Sequence, residues 1–225
     1  MTFARRAILV ASAAVVLSAT AAPKPTLPVG WYAVVDTTLG AFTIKLLPEQ
    51  APQTVAHFTA FAEGRMEWQD IATGEPQKRP FYDGLAIHRV TPFQRFEAGD
   101  PTGTGHGQPL VYVPKEPGPV DFSRPFRVGM TGSSMQRISA VVFFVSMDAE
   151  PYLNAGHNCF GEVVDGRDVV EAICAVKTRE RVPIDPVVIK KVSIVKSGNP
   201  APIPEPVRYR PTRPVPTPLP ADESP

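Results

Sequence analysis

The sequence has few of the residues on which metal-dependent or thiol chemistry relies. Its 225 residues include two cysteines and four histidines, with no Cys-x-x-Cys pair, so it predicts no metal site and no cofactor. Lys and Arg (23) nearly balance Asp and Glu (22), for a formal net charge of +1. Because no basic stripe interrupts this balance, nothing in the charge pattern favours binding to nucleic acid or to an anionic membrane.

Long apolar runs are also missing, apart from one at the N-terminus. Residues 7–19 are apolar, follow Arg5 and Arg6, and precede a small-x-small site that ends at Ala21. The run is shorter than the roughly 20 residues of a membrane helix, so we predict a secretory signal peptide over residues 1–21. An uncleaved anchor is the alternative. Cleavage would leave 204 residues (225 minus 21) and change the net charge from +1 to −1. We therefore expect a periplasmic or secreted protein with no membrane segment.

The rest of the chain divides into a short leader, one domain and a tail. Residues 22–30 are predicted to be a loose leader, and residues 31–197 suit one domain. In residues 198–225 prolines recur almost without apolar partners, which predicts a disordered tail. The tail could act as a spacer or as a ligand for a proline-binding partner, or it could have no partner.

Periodicity within the domain predicts short strands and two helices. Period-two runs over 31–38 and 41–47 indicate a hairpin, and helical spacing with Pro52 in the first turn predicts a helix over 51–64. A second helix is predicted over 168–175, and residues 65–80 are predicted to be a loop. Further strands are expected at 85–90, 126–131, 141–146, 158–164 and 187–195. Several short strands with two helices favour a closed antiparallel barrel with helices over its ends.

Residues 81–105 contain a motif with fixed spacing. Ile87-His88-Arg89-Val90, Pro92, Gly99 and Asp100 fall in register with Phe-His-Arg-Val-x-Pro-x-Phe-x-x-Gln-Gly-Gly-Asp. This pattern resembles the signature of cyclophilins, the peptidyl-prolyl cis–trans isomerases, and the similarity extends over residues 31–196, particularly to secreted bacterial members. It implies a closed eight-stranded antiparallel β-barrel capped by two α-helices, and an enzyme that needs no cofactor.

The resemblance also implies roles for individual residues. Arg89 would be the catalytic donor, and Glu97 stands where the family has the glutamine that props this arginine. Residues at or beside the family's substrate-binding positions are Phe93, Gln94, Met130, Phe144, Leu153 and His157. The alternative reading makes Arg89 a surface ion-pair residue and the apolar positions ordinary core.

Several positions depart from the family pattern. Gln94 replaces the family's pocket phenylalanine, although Phe93 lies next to it. Arg95 replaces a methionine, and Val142 replaces the glutamine that binds the substrate backbone. We hypothesise that Glu97 pairs with Arg89, with Arg95 as a rival cation.

The predicted function is isomerisation of X-Pro bonds in exported proteins, by a monomer whose partners are proline-containing polypeptides. The alternative is a cyclophilin-fold peptide-binding or chaperone module with weak or no turnover. The glycine-rich residues 103–107 are predicted to be a loop rather than a phosphate site, and Asp148 and Glu150 a solvated turn. Cys159 and Cys174 could form a disulfide or remain free thiols.

Overall fold

The computed structural model of the protein describes residues 27–70, 73–105, 107, 111–134 and 137–207. The predicted signal peptide and most of the predicted tail lie outside these residues. The elements are β1 (Gly30–Thr37), β2 (Gly40–Leu46), α1 (Pro52–Ala62), β3 (Trp68–Gln69), β4 (Pro76–Gln77), β5 (Arg89–Thr91), β6 (Arg95–Ala98), β7 (Tyr112–Val113), β8 (Arg127–Ser134), β9 (Arg137–Ser146), a 3₁₀ helix (Pro151–Ala155), β10 (Asn158–Asp165), α2 (Arg167–Cys174), β11 (Thr178–Arg179), β12 (Val182–Pro183) and β13 (Ile189–Ser197).

One curved antiparallel sheet dominates the described part of the chain. Its strands follow the order β13-β1-β2-β10-β8-β9-β6-β5. The short strand β7 lies outside this order and pairs with β9. The predicted N-terminal hairpin is confirmed as β1 and β2, which pair from Trp31 with Leu46 to Thr37 with Gly40. The predicted loop over 65–80 contains a small extra hairpin, β3 with β4.

The sheet is an open half-barrel, so the predicted closed barrel is wrong in this respect. The chain around the start of β13 meets the segment before β5 at an isolated bridge, Ala86 with Val188, and at backbone hydrogen bonds such as that from the Ile87 N–H to the Val187 carbonyl at 2.8 Å. The outer edge of β5 instead faces the β11–β12 hairpin, where the Val90 N–H donates to the Arg181 carbonyl at 2.7 Å. β5 thus bonds to this hairpin, and no ladder joins it to β13.

Helix α1 lies against the concave face of the sheet. The Phe58 ring packs on Tyr82, Phe143 and Phe160, with ring centroids 5.1, 5.8 and 5.1 Å apart. No side chain at the N-cap position caps this helix. Glu116 does so from a distant loop, since its carboxylate accepts the N–H groups of Gln53 and Thr54, each at 2.8 Å. This carboxylate also complements the positive end of the helix dipole.

Helix α2 covers one end of the half-barrel. Its residues Val170, Ile173 and Cys174 are buried in the main core. Cys159 belongs to a second, smaller cluster, and both cysteines are free, buried thiols. The structure thus keeps the two thiols in different parts of the domain.

The first residues of the predicted tail contact the domain. The Trp31 indole N–H donates to the Ala201 carbonyl at 2.8 Å, and Ile203 packs against the main core. The Val207 N–H donates to the Gln53 side chain at 2.8 Å. Residues 208–225 lie outside the described part of the chain. Among the described residues, no helix has the length and apolar character required to cross a bilayer.

Candidate active site

Strand register places Arg89 on the outer face of the half-barrel. In successive strands Arg89 lies opposite Glu97, Glu97 opposite Phe144, Phe144 opposite Gly129, and Gly129 opposite Cys159. Directly opposed residues share one face of a sheet, so these five positions form a row, which we call the outer row. The neighbouring positions face the other way, into the main core: Val90, Phe96, Val145 and Val128.

Arg89 is the most accessible charge of the outer row. Its side chain is 42% exposed, whereas that of Glu97 is 12% exposed. The Arg89 Nη1 lies 3.7 Å from the Glu97 Oε1, a distance for an ion pair but too long for a hydrogen bond. The guanidinium is therefore near a carboxylate while its N–H groups stay accessible to a ligand.

A second arginine projects from the same face of β6. Arg95 Nη1 donates to Glu150 Oε1 at 2.5 Å and to the Tyr152 hydroxyl at 2.8 Å. Burial alone would lower the pKa of Arg95, but Glu150, Tyr152 and Glu97 together raise it. The prediction that Glu150 belongs to a solvated turn is wrong, since its side chain is 5% exposed. The partner that stabilises this buried carboxylate lies on a strand distant in sequence.

A small apolar cluster, which we call the slot, adjoins the row at Phe144, and its four buried side chains are at most 5% exposed. Phe144, Leu153, Phe122 and Cys159 form a cluster separate from the main core. The Phe122 ring packs on Phe144 at 5.2 Å. A Cβ atom at Gly129 would lie 2.3 Å from Phe144 Cζ and 2.5 Å from Phe122 Cζ, so the absence of a side chain there is what lets the two rings meet over the strand.

His157 closes one side of the slot. Its ring meets that of Phe144 edge-on, with centroids 5.1 Å apart. The Gly132 N–H donates to His157 Nδ1 at 2.9 Å, which requires an unprotonated Nδ1. Burial lowers the pKa of His157 to about 4. At neutral pH this side chain is therefore a neutral, fixed wall of the slot.

Comparison with known proteins identifies the family. Residues 32–194 match the sequence profile of the family described as "Cyclophilin type peptidyl-prolyl cis-trans isomerase/CLD". The chain belongs to this family. Peptidyl-prolyl cis-trans isomerase B of Streptomyces anulatus is 36% identical over 168 residues, which cover 72% of this chain and 95% of that protein. Peptidyl-prolyl cis-trans isomerase A of Mycobacterium tuberculosis is 38% identical over 168 residues, with 72% and 91% covered.

Solved cyclophilin structures share the fold. The crystal structure of a cyclophilin type peptidyl-prolyl cis-trans isomerase of Cryptosporidium parvum aligns with a TM-score of 0.61 at 24% identity, covering 75% of this chain and 98% of that one. A second structure of that protein, in the presence of the dipeptide Ala-Pro, aligns with the same score and covers 99% of that chain. These similarities agree with the open half-barrel and its two helices.

Not every residue suggested by the cyclophilin pattern lies at the outer row. Arg89, Glu97 and Phe144 lie in the row, and Leu153 and His157 pack beside Phe144. Met130 is fully buried in the main core, because it neighbours Gly129 on β8 and points to the opposite face. Met130 therefore belongs to the main core, whereas Phe144 and Leu153 belong to the separate cluster beside the outer row.

Phe93 and Gln94 occupy the exposed turn between β5 and β6. Phe93 has a positive φ of 58°, and its side chain is 66% exposed. Its N–H donates to the Cys174 carbonyl at the end of α2, at 3.0 Å. Gln94 is exposed as well. None of the aromatic contacts between described residues joins Phe93 to the slot, so the slot is built by Phe144 and Phe122 instead.

The glycine and aspartate that end the motif support the strand rather than a ligand. Gly99 has a φ of 107°, and a Cβ there would lie 2.2 Å from the Val141 carbonyl oxygen. Asp100 accepts the Thr102 N–H at 2.8 Å and the Gly107 N–H at 3.1 Å. Burial raises the pKa of Asp100, but these hydrogen bonds outweigh burial and lower it overall. The glycine-rich segment is accordingly a loop organised by a buried carboxylate.

Sequence reasoning missed several residues of the site. Phe122 lies in a loop, and Glu150 and Tyr152 lie at the start of the short 3₁₀ helix. Only their contacts with Phe144 and Arg95 reveal a role. The outward position of Gly129 could have been found from the alternation along its strand. Val142 is 4% exposed, so an apolar, buried side chain stands where the family has an amide. Among the described residues, no group of three His, Cys, Asp or Glu side chains could hold a metal ion.

Proposed function

We propose that this protein accelerates cis–trans isomerisation of X-Pro bonds, with Arg89 stabilising the twisted amide. The observation that carries the proposal is the outer row, in which an accessible guanidinium stands beside an apolar slot formed by Phe144 and Leu153. The names of its cyclophilin relatives support proline-containing peptides as substrates, as does the Cryptosporidium parvum structure in the presence of the dipeptide Ala-Pro.

The mechanism requires positioning and one well-placed donor. The planar amide has partial double-bond character, with a rotational barrier of about 18–20 kcal/mol. When the bond is twisted, the proline nitrogen regains its lone pair and becomes a hydrogen-bond acceptor. A guanidinium N–H directed at that nitrogen stabilises the twisted state more than either planar state, which is the condition for catalysis. The proline ring would pack against the slot at Phe144 while the rest of the peptide rotates.

Glu97 and His157 have supporting roles in this proposal. Glu97 lies 3.7 Å from Arg89, close enough to bias the orientation of its guanidinium through charge. His157, with a pKa of about 4, stays neutral and adds no competing positive charge beside the slot at neutral pH. The same groups could hold a peptide in place without any covalent step.

We further propose that the substrates are exported proteins and that the enzyme acts in the periplasm or outside the cell as a monomer. The support is the pattern of residues 1–21, in which a basic start, an apolar run and a small-x-small site follow one another. Mass spectrometry of the protein from its native host should find an N-terminus at Ala22. A species that retains Met1 would contradict export by this route.

The decisive experiment is cis–trans exchange on a short Ala-Pro peptide, measured by NMR with the wild type and Arg89→Ala. Loss of a transition-state donor typically costs about 100-fold or more in rate, so the variant should lose most of the acceleration. Arg65→Ala is a matched control, because Arg65 is 44% exposed and pairs with Glu63 at 2.7 Å away from the outer row. Equal activity of Arg89→Ala and Arg65→Ala would refute the proposed mechanism.

A peptide-binding module with weak or no turnover is the second candidate. Glu97 favours it, since its carboxylate lies 3.7 Å from Arg89 Nη1 and competes with the substrate nitrogen for that donor. Peptide binding by the wild type without any acceleration of exchange would support the module and exclude the enzyme.

A further inference from the structure

Two arginines share one carboxylate in the outer row. Glu97 Oε1 lies 3.7 Å from Arg89 Nη1 and 3.8 Å from Arg95 Nε. Neither contact is short enough for a hydrogen bond, and among the ion pairs of the described residues these two are the ones that Glu97 makes. The carboxylate is thus held between two positive charges at nearly equal distances, and neither guanidinium is bonded to it directly.

The two arginines differ in how firmly they are fixed. Arg95 is 17% exposed and is held by Glu150, which is 5% exposed, and by the Tyr152 hydroxyl. Tyr152 also donates to Glu150 Oε1 at 2.5 Å, which closes a three-membered network. Arg89 is 42% exposed and has no such anchor among the described residues. The fixed Arg95 therefore determines where the Glu97 carboxylate lies, and the more exposed Arg89 adjusts its guanidinium to that carboxylate.

We propose that Arg95 is a positioning residue that keeps Arg89 available to the substrate. By balancing part of the charge of Glu97, Arg95 prevents the carboxylate from forming a direct hydrogen bond with Arg89. A charge-assisted N–H···O⁻ bond of about 2.7–2.9 Å would direct the donors of Arg89 towards Glu97 rather than towards the proline nitrogen. This inference rests on the proposed function, because it concerns the same reaction.

The test is a double-mutant cycle with Arg95→Met, Glu97→Gln and the combined variant, using exchange of the Ala-Pro peptide. Arg95→Met should lower kcat by about tenfold, equivalent to roughly 1.4 kcal/mol of barrier, without raising KM. Glu97→Gln in the Arg95→Met background should restore most of kcat, since the neutral amide cannot tie up Arg89. A combined variant no more active than Arg95→Met, or an Arg95→Met variant as active as the wild type, would overturn the inference.

A structural role for Arg95 predicts different results. Arg95→Met leaves Glu150 buried without its cation, which destabilises a fold. Arg95→Met combined with Glu150→Gln removes both charges and should fold stably, yet it should remain as impaired in kcat as Arg95→Met because Glu97 is still unbalanced. Full recovery of kcat in this variant would show that Arg95 acts only through the stability of the 3₁₀ helix and would refute the proposal.

A readout that does not depend on turnover separates this inference from the proposed function. The NMR signal of the Arg89 Nε–H group can be assigned by its absence in Arg89→Ala. It should shift in Arg95→Met as the direct ion pair forms. In Arg95→Met combined with Glu97→Gln it should return to its wild-type position. If the wild type does not accelerate exchange but these shifts occur, the proposed function fails and the charge sharing stands. If the wild type is active but the signal and kcat are unchanged in Arg95→Met, the function stands and the inference fails.

Discussion

Gly129 offers a direct test of how the apolar slot is built. In the Gly129→Ala variant the added Cβ would lie 2.3 Å from Phe144 Cζ and 2.5 Å from Phe122 Cζ. Ordinary carbon contacts are about 3.5–4.0 Å, so both rings must retreat by roughly 1 Å or more. Phe144 is only 2% exposed, and the cluster around it leaves little space for this movement.

The expected cost follows from two opposing effects. Overpacking of this kind destabilises proteins by about 1–3 kcal/mol. Replacing glycine by alanine in a strand recovers roughly 0.5–1 kcal/mol of backbone entropy. We therefore expect a net loss of about 1 kcal/mol in the free energy of unfolding, together with weaker binding of an Ala-Pro peptide because the wall of the slot has moved.

The assay is urea unfolding of the wild type, Gly129→Ala and Gly156→Ala, followed by peptide titration. Gly156 is the matched control, since a Cβ there meets no atom within 4 Å and its φ of −118° suits alanine. Gly156→Ala should be at least as stable as the wild type. A Gly129→Ala variant with unchanged stability and unchanged peptide affinity would refute the account of the slot.

Three further predictions concern the tail, the thiols and pH. The free energy of unfolding of a chain ending at Gly198 should be about 1–2 kcal/mol lower than that of a chain ending at Val207, because the shorter chain lacks the Trp31–Ala201 and Gln53–Val207 hydrogen bonds. Equal urea midpoints would contradict this. Burial raises the pKa of both Cys159 and Cys174 to about 12, so a disulfide reagent should modify them slowly in the native protein and rapidly in urea, and fast native labelling would oppose it. Burial lowers the pKa of His157 from 6.5 to about 4, so the unfolded state binds the extra proton first and stability should fall as the pH drops from 6.5 to 4. Measured by urea unfolding across this pH range, the free energy of unfolding should fall less steeply for His157→Gln than for the wild type. Burial also lowers the pKa of His57, so His57 should cause part of the fall that remains in the variant. Identical slopes for the two proteins would refute the assignment to His157.

The local features of the domain were predictable because they depend on neighbours in sequence. Period-two alternation with a glycine turn predicted the hairpin of β1 and β2, and Pro52 with helical spacing predicted α1, which ends at Ala62 rather than Gly64. Arg89 could be chosen as a candidate site residue because the whole motif lies within one short segment. β6 was missed because its four residues, Arg95–Ala98, are too few for alternation to stand out.

Features that depend on distant segments could not be predicted. Arg95 and Glu150 are 55 positions apart, and no local pattern distinguishes a buried, paired glutamate from one in a solvated turn. Closure of the barrel depends on which segment pairs with the edge of β5, and in the structure a residue of the β11–β12 hairpin bonds to that edge. The position of Met130, by contrast, was predictable from local sequence. Side chains alternate along β8, so a residue next to the outward-facing Gly129 belongs in the core.

The departures from the cyclophilin pattern act on different stages of the proposed reaction. A glutamate and an arginine replace a glutamine and a methionine, so the net charge beside Arg89 is unchanged, and Arg95 lies 3.8 Å from the carboxylate that it balances. These two replacements offset each other in the twisted state, where Arg89 would act in the proposed mechanism. No second replacement compensates for Val142. Without an amide at this position, the substrate backbone is held less tightly in the planar and twisted states alike. This change raises KM without lowering kcat. The combination favours an isomerase that turns over at a normal rate but binds peptides weakly, over a module that binds without turnover. A binding module would need the amide that Val142 replaces, and it would not need the charge that Arg95 balances.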